Sequence, residues 1–326
     1  MNQTQKLFFL SCFSLPFYSA FSIENYSEKI FPQDFKCAIN TETPPESFKT
    51  KILDGLEEIT PDEKSKLESR IQEQKKINKI PGFFSWYKPN YMLPLYYTSS
   101  PYNEAYNNDA QDVHTPNNQK VISLESKGQV SVTVPVYKSL FGNEDMSLDV
   151  AFTEMVYWQT LVESQYFRET DAEATMFFKY HFYRNWLWEL AVDHQSNGKG
   201  EPLERSWNRV ISTVQFSSEH FFVQGDFWFL IFKAESANLH NPDITDYLGH
   251  ENIVVAYKMK DLTLSVSLQN IESGLQKGNF GFTATYPMNE QVNLYAQYIN
   301  GYGQSLVEYN HRTQGMGIGV SFSNYL

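Results

Sequence analysis

Residues 193–209 read DHQSNGKGEPLERSWNR. This stretch brings together an imidazole at His194, a hydroxyl at Ser196 and a carboxamide at Asn208. A serine hydroxyl attacks an acyl carbonyl once a base takes its proton, imidazole is the base best suited near neutral pH, and a third polar group holds the correct imidazole tautomer. In an extended strand the His-x-Ser spacing puts base and hydroxyl on the same face. The same residues would also suit a plain polar rim, and spacing alone leaves both readings open.

The elements that must position them flank them directly. NWLWELAV, residues 185–192, places Trp186, Trp188, Leu190 and Val192 at alternate positions, so His194 and Ser196 continue an apolar face. In WNRVISTVQF, residues 207–216, Val210, Val214 and Phe216 mark an apolar face whose parity Asn208 shares. The Gly- and Pro-containing segment between Ser196 and Trp207 lets the two strands run as antiparallel neighbours, with Asn208 near His194. If that face meets lipid, a polar cluster on it costs free energy unless it has partners or work. A neutral amide as third member avoids the desolvation cost of a carboxylate at such a place.

The same alternation runs through the rest of the chain. Val130, Val132, Val134 and Val136 alternate with smaller or polar residues, as do Leu262, Leu264, Val266 and Leu268, and then Met316, Ile318, Val320 and Phe322. Aromatic residues make up 16% of the 326 residues, yet the mean hydropathy is −0.45. An inside-out molecule reconciles the two, with apolar side chains facing lipid and polar ones facing inward. Segments of about ten residues, with aromatics such as Trp158, Trp186, Tyr298 and Tyr325 near their ends, suit an outer-membrane barrel. Twelve segments are expected, beginning near residues 89, 119, 146, 172, 185, 206, 219, 246, 261, 277, 291 and 314. An even number permits a closed antiparallel barrel, which leaves no backbone N–H or C=O unpaired in lipid.

The N-terminal part reads differently. Residues 1–22 have one lysine, an apolar run from Leu7 to Phe17, and Ala20 and Ser22 where a leader peptidase expects small residues, so a secretory signal cleaved near residues 20–22 is predicted. Residues 23–85 form a polar extension with a helix over roughly 61–79, opened by Thr60, Pro61 and Glu63. The barrel domain is expected over 86–326. Cys12 leaves with the leader, so Cys37 has no internal disulfide partner. A net charge of −12 argues against nucleic acid as a partner. His181, His220, His250 and His311 lack the spacing of a transition-metal site.

HQSNG followed by RSWNR resembles the signature of the outer membrane phospholipase A family. YFRET at 166–170, NPDIT at 241–245, NGYGQSLVEYN at 300–310 and GMGIGVSF at 315–322 are similar to the same family in the same order, and the resemblance covers about residues 86–326. It implies an all-β, twelve-stranded antiparallel transmembrane barrel in the bacterial outer membrane, acting on phospholipids and lysophospholipids as a calcium-dependent homodimer. By that resemblance Ser196 is the nucleophile, His194 its base and Asn208 the orienting partner. Gly198 supplies the oxyanion amide together with a calcium-bound water. The Ca2+ ligands it implies are the carbonyl of Lys199, Glu204, and the carbonyl of Ser164 from the second subunit.

Two positions depart from the family pattern. Glu204 stands where a serine is usual, and a carboxylate is a harder, charged ligand for calcium. His240 replaces an acidic residue ahead of NPDIT, so a second calcium site is not expected. Glu154 falls where the family has a buried polar residue in the dimer contact. The reading from another class is a small porin or fatty-acid channel that uses the same barrel without catalysis.

Overall fold

The computed structural model describes residues 84–106, 115–116, 119–231, 240–274, 276–323 and 325. The expected leader and all of the extension up to residue 83, with its helix and Cys37, lie outside the described residues. Thirteen strands follow in chain order: β1 (Ser85–Trp86), β2 (Tyr91–Thr98), β3 (Leu124–Lys138), β4 (Met146–Trp158), β5 (Phe167–Tyr183), β6 (Trp186–Ser196) and β7 (Ser206–Ser217). The chain continues with β8 (Phe221–Leu230), β9 (Glu251–Met259), β10 (Leu262–Gln269), β11 (Asn279–Pro287), β12 (Asn293–Gly301) and β13 (Thr313–Ser321). Two short helices, α1 (Asn103–Tyr106) and α2 (Ile244–Leu248), lie in connections.

All pairings are antiparallel; from β2 to β13 they join sequence neighbours, and β13 returns to pair with β2. The β2–β13 seam closes the sheet, so no spanning strand is left with an unpaired edge. The short β1 pairs with β3 at Thr133 and Val132, beyond the stretch of β3 that β2 occupies, and so continues the stave of β2. Thirteen strands thus make twelve staves, and each begins within five residues of its expected position.

Alternation explains both faces of the wall. Outward residues are apolar and exposed, among them Val130, Leu190, Val192, Phe229, Met316 and Ile318. Inward residues are polar and buried: Ser131, Thr133, Asp149, Glu173, Thr175, Glu189, Asp193, Arg209 and Thr213. Several inward charges are paired, as in Lys179 with Asp149 at 2.7 Å and Lys88 with Glu173 at 2.7 Å. Tyr325 departs from the expected interfacial ring: it stacks on Phe222, which faces inward with Val254 and Ala256. The chain past β13 therefore turns into the lumen.

The two ends of the barrel differ. At one end the connections are tight, spanning 139–145, 184–185, 218–220, 260–261 and 288–292; at the other they span 99–123, 159–166, 197–205, 231–250, 270–278 and 302–312. The second mouth is occupied by its own connections. Gln304, Ser305, Leu306, Val307 and Glu308 are all buried there. Arg168 lies between Glu125, at 2.7 and 2.8 Å, and Glu308 at 3.3 Å, with the guanidinium and both carboxylates almost wholly excluded from solvent. The Tyr157 hydroxyl donates to the Gln304 carbonyl, the Tyr96 hydroxyl donates to Gln304 Oε1, and the Leu306 amide donates to Asp171. Below this layer a cavity of about 1050 Å³ remains, lined by Tyr87, Lys88, Glu173, Glu189, Arg209 and Asp226 among others.

Candidate active site

β6 and β7 pair in unbroken register, so that His194 stands opposite Asn208 and Ser196 opposite Ser206. The outward face of β6 runs Leu190, Val192, His194, Ser196, and the outward face of β7 runs Val210, Asn208. His194 is exposed, as the alternation requires. Its Nδ1 lies 2.9 Å from Asn208 Oδ1. A carboxamide oxygen only accepts, so Nδ1 carries the proton and Nε2 is left as the basic nitrogen. The Ser196 hydroxyl and the imidazole are not hydrogen-bonded to each other here; they share a face and are separated by Gln195.

The register beneath this pair is pinned from the inner side. Arg209, opposite Asp193, donates from Nε to Asp193 Oδ1 at 2.8 Å, and Trp207, opposite Gln195, donates from Nε1 to Gln195 Oε1 at 2.8 Å. These two cross-strand bonds flank the His194–Asn208 rung on the buried face, where water competes least. A slip of one residue would turn every one of these side chains to the wrong face.

The connection 197–205 carries Gly198, Lys199 and Glu204. Gly198 has φ +62 with open space around the position of a Cβ, so a side chain there would be strained by conformation, not by crowding. The Lys199 ammonium reaches 3.7 Å from Glu169. The Glu204 carbonyl accepts from Arg205 Nη1 at 2.8 Å, while the Glu204 carboxylate has no ion-pair or hydrogen-bond partner among the described residues. Ser164 stands in a different connection, 159–166, where its hydroxyl meets Gln119 Nε2 at 3.0 Å. Glu154 is exposed on the outer wall, opposite Ala172, and Ala172 in turn is opposite Ser196. His240 lies 4.0 Å from Glu201. No group of three or more His, Cys, Asp or Glu able to hold a metal occurs among the described residues. A cation would depend on backbone carbonyls beside Glu204.

Sequence reading missed what holds this connection. Leu203 is buried in a cluster with Tyr106 of α1, Val121 and Val307. Asn241, the first residue of NPDIT, donates to the Ser206 carbonyl at 2.8 Å and accepts from the Ser206 amide at 3.3 Å, which fixes the start of β7. The Tyr309 hydroxyl donates to Asp243 at 2.6 Å, and the Arg205 guanidinium lies 5.7 Å from the Tyr309 ring. Burial lowers Arg205 below the usual guanidinium range, and burial, with the Asp243 carboxylate, raises Tyr309 above the usual phenol range. The motifs YFRET, NPDIT and NGYGQSLVEYN converge here. Their order in sequence was visible, but their contacts join residues 35 and 66 positions apart, and farther still in the Leu203 cluster.

A family model described as phospholipase A1 matches residues 67–322. Phospholipase A1 of Escherichia coli strain K12 is 30% identical over 209 residues, 61% of this chain and 70% of that protein. The Proteus vulgaris enzyme of the same name is 29% identical over the same length and shares. Among solved structures, the calcium-bound outer membrane phospholipase dimer of Salmonella typhi superposes with a TM-score of 0.67 at 28% identity, covering 76% of this chain and 94% of that one. The E. coli outer membrane phospholipase A gives 0.66 at 28% identity, covering 74% and 99%.

Proposed function

The chain belongs to the phospholipase A1 family, and from that premise we propose that it is an outer-membrane phospholipase that cleaves acyl esters by a Ser-His-Asn mechanism at the outer leaflet. The observation that carries the reading is the His194–Asn208 hydrogen bond on the lipid-facing wall, next to Ser196. The long-connection end is the extracellular one by the usual asymmetry of such barrels, so the site meets the outer leaflet.

Ser196 Oγ attacks the ester carbonyl of a bound phospholipid or lysophospholipid as His194 Nε2 takes the hydroxyl proton. The Gly198 N–H is the donor for the oxygen that becomes negative in this reading. The C–O bond then breaks, His194 returns its proton to the departing glycerol oxygen, and the acyl group stays on Ser196. Water enters, gives a proton to the same nitrogen and adds to the acyl carbon; the bond to Ser196 Oγ then breaks as His194 returns that proton to Oγ, and the fatty acid leaves. Asn208 keeps Nε2 basic throughout by accepting from Nδ1–H. Val192, Val210 and Phe229 lie beside the rung and give the acyl chain an apolar surface.

Calcium fits the donors present. Glu204 offers an unpaired carboxylate, Lys199 a carbonyl on the same connection, and all are hard oxygens of the kind calcium takes. Ser164 of the partner subunit would complete the set, so a homodimer is the active form in this reading. Bound calcium would supply positive charge beside the developing oxyanion. The secretory leader at 1–22 and the polar extension to residue 85 belong to the same proposal. The channel alternative loses ground to the buried connection 302–312, which occupies the mouth.

Lipid turnover by purified protein in detergent, with calcium and with a chelator, beside Ser196→Ala, tests the reading. Parent activity that needs calcium and vanishes in Ser196→Ala while the barrel still folds is expected. Turnover in Ser196→Ala near that of the parent would end the assignment.

A further inference from the structure

We propose that Asn197, held by Glu169, is a positioning residue of this site: it shapes the turn that presents the Ser196 hydroxyl and the Gly198 N–H to one ester. The inference rests on Ser196 being the nucleophile. Asn197 separates the two groups in sequence, and strand alternation sends its side chain to the opposite side from Ser196, into the filled mouth, where it is 6% exposed.

There the carboxamide is fully used. Nδ2 donates to Glu169 Oε1 at 3.0 Å and to the Leu203 carbonyl at 2.8 Å. Oδ1 accepts from the Arg205 amide at 3.0 Å and from the Lys199 amide at 3.3 Å. The Asn197 amide itself donates to the Arg205 carbonyl at 3.1 Å. One side chain therefore ties together the start, the middle and the end of the connection 197–205. Gly198 and Gly200 would otherwise leave that connection wide conformational freedom.

Glu169 is the fixed post. It is wholly buried and accepts from the Tyr106 hydroxyl at 3.1 Å as well as from Asn197. Burial, then the Glu169 carboxylate itself, hold the Tyr106 phenol well above its ordinary range, so it remains a donor. Neither aspartate nor alanine meets the same demands at 197. Aspartate lacks both donors and would oppose Glu169 with like charge, and alanine would leave buried polar groups without partners.

The test compares the parent with Asn197→Ala, Asn197→Asp, Glu169→Gln, and the double variant Asn197→Asp/Glu169→Gln, which exchanges amide and carboxylate across the contact. Folded fraction is read from heat-modifiable gel mobility. For the folded fraction, kcat and KM are measured on micellar phospholipid, together with the rate at which a long-chain alkylsulfonyl fluoride labels Ser196. A displaced nucleophile and amide cost about 10²-fold, so Asn197→Ala is expected to lose that much in kcat and labelling rate with KM nearly unchanged. Asn197→Asp should lose as much, and the exchange variant should recover about tenfold over it, because the amide now at position 169 donates to the carboxylate at 197 and restores the contact. A residue that only stabilises the fold would lower the folded fraction and leave the rates per folded molecule at the parent value; that result overturns the proposal. So does an exchange variant no faster than Asn197→Asp. If Asn197→Ala does not fold, Glu169→Gln and the exchange variant carry the same decision. Failure of the underlying reading shows separately, in the parent: Ser196 would go unlabelled and Ser196→Ala would stay active, and the proposal would fall with it.

Discussion

His194 and Asn208 meet on a surface that water leaves once lipid covers it, and this sets what each residue can lose. Asn208→Ala removes the acceptor for Nδ1–H but keeps the proposed nucleophile and base. Its kcat is expected to fall by about 10–10³-fold, short of the loss in Ser196→Ala. Steady-state hydrolysis in mixed micelles checks this, and equal losses in the two variants would make Asn208 a structural residue. Gly198→Ala should fold yet lower kcat, because its φ of +62 strains any L side chain and the amide turns with it. At this scale the sequence was informative wherever parity alone decides. His194, Ser196 and Asn208 share a face because their spacing and the apolar residues around them say so. Asn197 could not be found that way, since its role depends on Glu169 and on the Leu203 carbonyl.

In the proposed reading, calcium dependence turns on the connection 197–205. Glu204 brings a full negative charge where a neutral ligand is usual, and its carboxylate is not engaged elsewhere among the described residues. Glu204→Gln should therefore raise the calcium concentration for half-maximal hydrolysis and for crosslinked dimer together. Side-chain replacements at Lys199 and Ser164, which would act through carbonyls, should move that midpoint far less. Calcium titrations of both readouts decide, and equal midpoints for parent and Glu204→Gln would remove Glu204 from the site. The strands themselves were legible because outward residues alternate against polar ones. The largest misplacements, of five residues each, were in β3, β5 and β9, expected near 119, 172 and 246 and found at 124, 167 and 251. In β5 the early positions Arg168, Glu169 and Asp171 face the filled mouth. Their buried charge pattern hides a strand that runs on past the apolar band.

Across the whole molecule, the mouth network leads us to expect a barrel that is not a conduit. Arg168 balances Glu125 and Glu308, and removing it strands two buried carboxylates. Arg168→Ala is expected to destabilise the protein by about 3–5 kcal/mol, read from urea unfolding in lipid vesicles. Planar-bilayer recordings of the parent should show no steady conductance, since Gln304–Glu308 lie buried in the long-connection mouth. This arrangement was invisible in the sequence. Its contacts join Tyr96 and Tyr157 to Gln304, and nothing local in any of the three segments reveals that they meet.

The cluster around Leu203 draws Tyr106 and Val121 from the first long connection and Val307 from the last. Those flanking residues come to lie together when β13 joins β2, the pairing of greatest sequence separation and so the seam expected to form last. A half-assembled intermediate thus already contains the serine, the histidine and the asparagine on adjacent strands, but the loop beside them is unbraced. Biogenesis then acts as a safety catch: the lipase stays unarmed while in transit and is armed by its own completion. During refolding into vesicles, the recovery of hydrolysis should follow the appearance of the heat-modifiable, closed form and never precede it.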